Sequence, residues 1–239
     1  MVRLFAALIL PVVMLATGCR WRNTVNGNGV QVTEKRSVSG FNRITCSGPF
    51  DVDVTLGEPF GVVISADENL MDLIRADKDG KTLELDITDG YNVRSRNQIK
   101  ILVSMPEAEA LTCAGSGRIT VQGTMRHPNE LRFNVGGSGD ILAEVNSPRV
   151  EAKIGGSGTI VLKGETRSLQ VSIGGSGDFK GADLLSEETK VSVGGSGTAR
   201  VYASKNLNVS VAGSGDIYYS GNPAVKQSIA GSGTVRKSE

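Results

Sequence analysis

Val150-Glu151-Ala152-Lys153-Ile154-Gly155-Gly156-Ser157-Gly158-Thr159-Ile160 is the stretch from which the fold can be read. Its first five residues alternate apolar and polar, the period-two signature of a strand with one buried face. Val150, Ala152 and Ile154 point one way, Glu151 and Lys153 the other. A Gly-Ser-Gly corner interrupts the chain before a second strand opens at Thr159-Ile160. The unit recurs: Leu131-Arg132-Phe133-Asn134-Val135, Leu169-Gln170-Val171-Ser172-Ile173 and Leu207-Asn208-Val209-Ser210-Val211 each run into the same corner. Seven corners carry serines at 116, 138, 157, 176, 196, 214 and 232, spaced by 22, 19, 19, 20, 18 and 18 residues. A repeat of this length is one coil that cannot bury its apolar face alone and is stabilised when neighbours stack on it. The chain is therefore predicted to be all-β: a parallel β-helix, or β-solenoid, with repeating Gly-Ser-Gly corners and an irregular β N-terminal cap.

Aligning the coils assigns each position. Val135, Ile154, Ile173, Val193, Val211 and Ile229 form one inward column, and Ile119, Ile141, Ile160, Phe179, Ala199, Ile217 and Val235 form a second after the corner. Arg132, Glu151, Gln170, Lys190, Asn208 and Lys226 form an outward column. The corner glycines are expected to allow positive φ and close approach of successive turns, and the serines to form a hydroxyl ladder with a structural role. At about 4.8 Å per stacked strand, seven coils make a rod of roughly 30–35 Å.

Asp140, Thr159, Asp178, Thr198, Asp216 and Thr234 alternate directly after the corners. Alternation separates the carboxylates and offers each a hydroxyl donor, a structural arrangement. The rival reading is calcium, as in Gly-Gly-x-Gly-x-Asp β-rolls. It fits less well, because Asp140 follows Gly139 directly and the period is near nineteen, not nine. No metal site is expected: the single histidine, His127, has no histidine or cysteine near it in sequence. No paired carboxylates or serine–histidine arrangement stand out for glycoside cleavage or nucleophilic hydrolysis, so no enzyme activity and no cofactor are expected.

At the start of the chain, Arg3 precedes an apolar stretch over residues 4–15 and then Ala16-Thr17-Gly18-Cys19. This is a secretory signal, too short to span a membrane as a mature helix. Cysteine directly after Gly18 resembles a bacterial lipobox, which implies cleavage before Cys19 and lipidation of that residue. Arg20 stands where an aspartate would signal inner-membrane retention, so anchoring to an outer membrane is expected. The expected organisation is a lipoprotein signal peptide over residues 1–18, a polar lipidated tether over 19–40, an irregular N-terminal β segment over 41–110 and the Gly-Ser-Gly solenoid over 111–239. Within the irregular segment only residues 67–74 look helical, with Asp67 as N-cap.

Thr45-Cys46-Ser47-Gly48-Pro49-Phe50-Asp51-Val52 superposes on Thr112-Cys113-Ala114-Gly115-Ser116-Gly117-Arg118-Ile119. Cys46 and Cys113 therefore share the first inward column, and if their coils stack directly they come within disulfide range in an oxidising compartment. The alternative is a pair of small buried hydrophobes. Charge is balanced, with 26 Lys and Arg against 25 Asp and Glu, leaving no electrostatic footprint for nucleic acid. Lys180, Arg200, Tyr202 and Tyr218 turn outward by parity and form the nearest thing to a surface binding patch.

The lipoprotein start, Phe41-Asn42-Arg43-Ile44, Gly48-Pro49-Phe50-Asp51-Val52, Ala66-Asp67-Glu68-Asn69-Leu70 and the repeated corners together resemble the putative auto-transporter adhesin head GIN domain family. The resemblance spans about residues 41–235. It implies a parallel β-helix at a bacterial cell envelope with no assigned enzyme activity. The expected function is a non-catalytic envelope lipoprotein that binds glycan or protein through one β-face. The alternatives are a purely structural scaffold and a polysaccharide-active enzyme.

Overall fold

The computed structural model describes residues 23–238. The signal sequence expected over residues 1–18 and the lipidation site Cys19 lie outside the described residues. The remainder is a β-solenoid whose two long faces run from an N-terminal cap to the last coil.

On the first face, Arg43–Cys46, Ala110–Cys113 and Glu130–Val135 stack in parallel, followed by the second half of Asp140–Ile154. Thr159–Ile173, Leu184–Val193, Asn206–Gly213 and Ala224–Gly231 continue the ladder. On the second face Asp51–Leu56 pairs in parallel with Arg118–Arg126, which pairs with Asp140–Ile154. Thr159–Ile173, Asp178–Gly181, Thr198–Tyr202, Asp216–Ser220 and Thr234–Lys237 follow. The predicted columns are those observed: Cys113, Val135, Ile154, Ile173, Val193, Val211 and Ile229 are register partners one after another. All but Ile229, on the outermost strand, are buried. Phe133 and Phe179 fill the interior beside these aliphatic rows, which removes apolar surface from water at about 25 cal/mol per Å².

The corners hold the coils together through backbone. Ser157 N–H donates to Gly137 O at 3.0 Å, Ser176 N–H to Gly156 O at 3.1 Å, and Ser214 N–H to Gly195 O at 3.0 Å. Their side chains stand at the exposed rim, so the serine ladder is made by main-chain groups where hydroxyls were expected. The corner glycines show the close approach that was expected of them, and positive φ only in the last two corners, at Gly213 and Gly231. Gly156 and Gly158 have negative φ; they are needed because a Cβ on either would run into the carbonyl oxygen of Gly137 or Gly139 in the coil below. Close approach, not handedness, selects glycine there.

The cap closes the N-terminal end by switching from parallel to antiparallel pairing. Ile74–Asp79 pairs antiparallel with Thr82–Ile87, which starts the first face. Gln31–Arg36 pairs antiparallel with Gly61–Asp67, Gly61–Asp67 likewise with Lys100–Met105, and that strand runs parallel to Asp51–Leu56. The two outermost strands carry Asp77, Lys78 and Asp79, and Glu34, Lys35 and Arg36, charges that discourage further strand addition. Glu109 joins cap to first coil by accepting from the guanidinium groups of Arg43, at 3.1 Å, and Arg132. Burial pushes its carboxyl pKa up, but the two arginines outweigh that and hold it below the usual range.

Two expectations for this region are corrected. Residues 23–36, which polar composition assigns to the tether, fold into the cap: Asn23–Asn26 pairs in parallel with Tyr91–Arg94, and Gln31–Arg36 joins the second face. The apolar residues Val25 and Val32 pack on the core, and that suffices once backbone pairing is available. Residues 68–73 form a 3-10 helix after Asp67, but the Asp67 side chain makes no cap bond. Its buried carboxylate instead accepts from Asn97 Nδ2 at 2.6 Å, Arg96 N–H at 2.9 Å and Ser95 Oγ at 3.0 Å. The approach is so close that a Cβ at Gly27 would strike this carboxylate. No described helix is long and apolar enough to cross a membrane.

Candidate binding face

Parity and stacking together build one outward column on the second face. Leu142, Val161, Lys180, Arg200, Tyr218 and Arg236 are successive register partners, one per coil. Leu142, Val161 and Tyr218 are half-buried, and the three cations are exposed. Three of the four predicted patch residues, Lys180, Arg200 and Tyr218, therefore stand in a single line. The guanidinium of Arg200 lies over the Tyr218 ring, 5.1 Å from its centroid. Tyr202 is apart from them: it pairs with Ser220, and its backbone carbonyl accepts from Ser186 Oγ and Thr189 Oγ1 at the second corner of the coil. Sequence reasoning missed Arg236 and Lys163, although the inward Val235 and Leu162 beside them carry the same parity signal.

A groove of about 540 Å³ opens beside this column, lined by Val161, Leu162, Lys163, Lys180, Asp183 and Arg200 together with Ala182. Its origin is one extra residue. From Val161 to Gly164 the chain advances three positions, while their partners Lys180 and Leu184 are four apart. This coil is the 20-residue step between Ser176 and Ser196. The strand breaks after Gly181, and Ala182 and Asp183 turn outward at the rim.

The charges around the groove are unevenly matched. Lys163 pairs with Glu144 at 3.0 Å. Among the described residues Lys180, Arg200 and Arg236 have no carboxylate within ion-pair distance. In the neighbouring outward column Asp140 accepts from Arg118 at 3.0 Å, and Asp216 accepts from Thr234 Oγ1 at 2.6 Å and from its N–H at 3.1 Å. The Asp216–Thr234 contact is the carboxylate–hydroxyl pairing expected from the alternating pattern.

Cys46 and Cys113 are adjacent register partners on parallel strands, both fully buried free thiols. Thr45 faces Thr112 and Val52 faces Ile119, the superposition anticipated from sequence. The adjacent Cys113 sulfur, with burial, pushes the Cys46 thiol pKa up, and the same contact lowers that of Cys113.

Residues 40–223 match the sequence profile of a family described as "Putative auto-transporter adhesin, head GIN domain". Among solved structures, one described as a putative lipid binding protein from Parabacteroides distasonis superposes with a TM-score of 0.79 at 25% identity, covering 91% of this chain and 100% of that one. A putative adhesin from Bacteroides fragilis superposes with a TM-score of 0.82 at 21% identity, covering 89% and 99%. A putative adhesin from the same Parabacteroides species gives 0.71 at 25% identity, covering 90% and 100%. No curated protein sequence matches the chain.

Proposed function

The chain belongs to the putative auto-transporter adhesin, head GIN domain family, and from that premise we propose that it is a non-catalytic, adhesin-like binding module of the bacterial envelope, tethered by lipid at Cys19. The observation that carries this reading is the register line of Lys180, Arg200 and Tyr218, three side chains suited to contact set at fixed spacing on a rigid face. The lipobox-like Ala16-Thr17-Gly18-Cys19 supports the anchor, and Arg20 supports the outer membrane as its site. The organisation into signal peptide, anchor, cap and solenoid follows from the same reading, with the tether shortened by the strands of residues 23–36.

One neighbour's description speaks of lipid binding. In this chain the solenoid interior is filled by side chains such as Phe133, Phe179 and Ile160, each fully buried. Surface contact with a glycan or protein fits that geometry better than enclosure of an acyl chain. The test is full-length protein in detergent on an array of envelope and extracellular glycans and matrix proteins, beside an Arg200→Ser/Tyr218→Ser variant of unchanged melting temperature. Binding that weakens in the variant is expected. Equal binding would move the contact elsewhere, and no ligand at all would favour the scaffold.

A further inference from the structure

We infer that the second face binds a linear acidic polysaccharide laid along the solenoid axis, with carboxylates of the glycan seated on Lys180 and Arg200 at the groove opened by Ala182 and Asp183. This rests on the binding-face reading above and gives its ligand a chemical class.

Three observations converge on it. The first is direction. Leu142, Val161, Lys180, Arg200, Tyr218 and Arg236 form a straight line parallel to the axis, one residue per coil. At about 4.8 Å per step the line runs roughly 24 Å. A step of that size is comparable with the length of one pyranose residue in an extended chain, so successive sugars can meet successive coils.

The second is chemistry. The Arg200 guanidinium covers the Tyr218 ring, so the ring face is already occupied. What the site presents outward is the guanidinium, held in place by the ring. Planar guanidinium groups bind carboxylates through two parallel hydrogen bonds. Lys180 is the adjacent register partner, and neither cation has an ion-pair partner among the described residues. Val161, half-buried on the groove lining, supplies apolar surface for the C–H face of a sugar ring.

The third is charge distribution. From residue 189 onward Lys190, Arg200, Lys226, Arg236 and Lys237 stand against only Asp216 and Glu239, with Lys205 paired to Glu187, in a chain whose overall net charge is +1. The C-terminal coils are a positive region on a nearly neutral molecule, and Asp216 is taken up by Thr234. Such a region raises the encounter rate with a polyanion and is screened by salt. Asp178, in the adjacent outward column, opposes approach of an anion off the line, and Asp183 on the groove lining confines a seated carboxylate to the side of Lys180 and Arg200.

The test uses full-length protein in detergent with oligogalacturonate as probe, a neutral maltooligosaccharide as control, and phosphatidylglycerol vesicles as the competing anionic surface. Two charge reversals of equal size are compared: Lys180→Glu/Arg200→Glu on the second face and Lys190→Glu/Lys226→Glu on the first. Oligogalacturonate should bind more tightly than the neutral sugar and lose affinity with added salt. The second-face variant should weaken it by about tenfold or more, the scale of one lost charge-assisted contact, with the first-face variant near wild type. If the reversed pair unfolds, Lys180→Gln/Arg200→Gln is read in its place. Equal losses in both variants would reduce the effect to net charge and overturn the site. Preference for vesicles over oligogalacturonate would replace the glycan by a membrane surface. Neutral glycans that bind, with sensitivity to Arg200→Ser/Tyr218→Ser, would leave the binding face standing and sink the acidic ligand alone.

Discussion

Cys113 lies directly beside Cys46 on the neighbouring parallel strand, joining the irregular cap to the first regular coil. Both thiols are sealed from solvent, out of reach of an exchanging thiol. Thiolate exchange in the finished fold is therefore slow, and a bond must form while the chain is still folding after export. Stacked strands put the Cα atoms within disulfide range, and the loop closed by residues 46–113 is long. In the chain-entropy account such a link stabilises by about 4 kcal/mol. Protein purified from the envelope without reductant should therefore carry a Cys46–Cys113 bond, seen as a linked peptide pair by mass spectrometry, and reductant should lower its melting temperature. Two alkylatable thiols in that preparation would show the pair to be structural hydrophobes only.

Adjacent glycines in one corner should behave very differently. A Cβ on Gly155 would sit 4.0 Å from Val135 O, ordinary contact, whereas one on Gly156 would overlap Gly137 O and come within 3.0 Å of Gly136 O. Gly155→Ala should cost less than about 1 kcal/mol and Gly156→Ala at least about 2 kcal/mol, because the second forces two backbones apart. Denaturant midpoints of the two variants make the comparison, and similar values would contradict the close stacking of the corners.

Strand parity gives a second matched pair. Ile173 is 2% exposed, while Ser172 faces outward between Lys153 and Ser192. Ile173→Asp buries an unpaired carboxylate and should destabilise by at least about 2 kcal/mol more than Ser172→Asp. Calorimetry of both proteins reads the difference, and equal midpoints would mean that the register is wrong.

Asp67 should give the cap an acid limit. Burial alone raises the pKa of its carboxyl, but the Arg96 N–H, Asn97 and Ser95 donors prevail and hold it below the ordinary value. A carboxyl depressed in the fold favours the folded state while ionised, so its contribution is complete above about pH 4 and disappears as pH falls through the depressed value. The melting temperature of the wild type should drop more steeply as the pH falls below about 4 than that of Asp67→Asn, which lacks the titrating group. Parallel curves would place the acid sensitivity elsewhere.

Removal of the anchor should release the protein intact. Cys19→Ala eliminates the only residue expected to carry acyl chains, and each buried methylene contributes about 0.8 kcal/mol to membrane attachment. The variant should appear in the soluble fraction with an unchanged melting temperature. Palmitate label still entering Cys19→Ala would falsify the lipobox assignment.

Much of the architecture was legible in the sequence because its determinants repeat. Alternation over five residues fixes which side chains point inward, as Val150, Ala152 and Ile154 show, and a corner every 18 to 22 residues fixes which of them stack. Period and parity are local, so register, both inward columns and the line through Lys180, Arg200 and Tyr218 follow from counting. The cap was less legible because its bonds join distant, unrepeated segments. Asp67 looks like a helix cap until Asn97, thirty residues on, is brought against it, and residues 23–26 look like tether until Tyr91–Arg94 offers them a partner strand. At the candidate site the sequence set the column, and only packing in three dimensions laid Arg200 over Tyr218 and opened the groove. A single extra residue in one coil is silent in the alternating pattern, but in a stacked solenoid it must go outward, because the interior is already full.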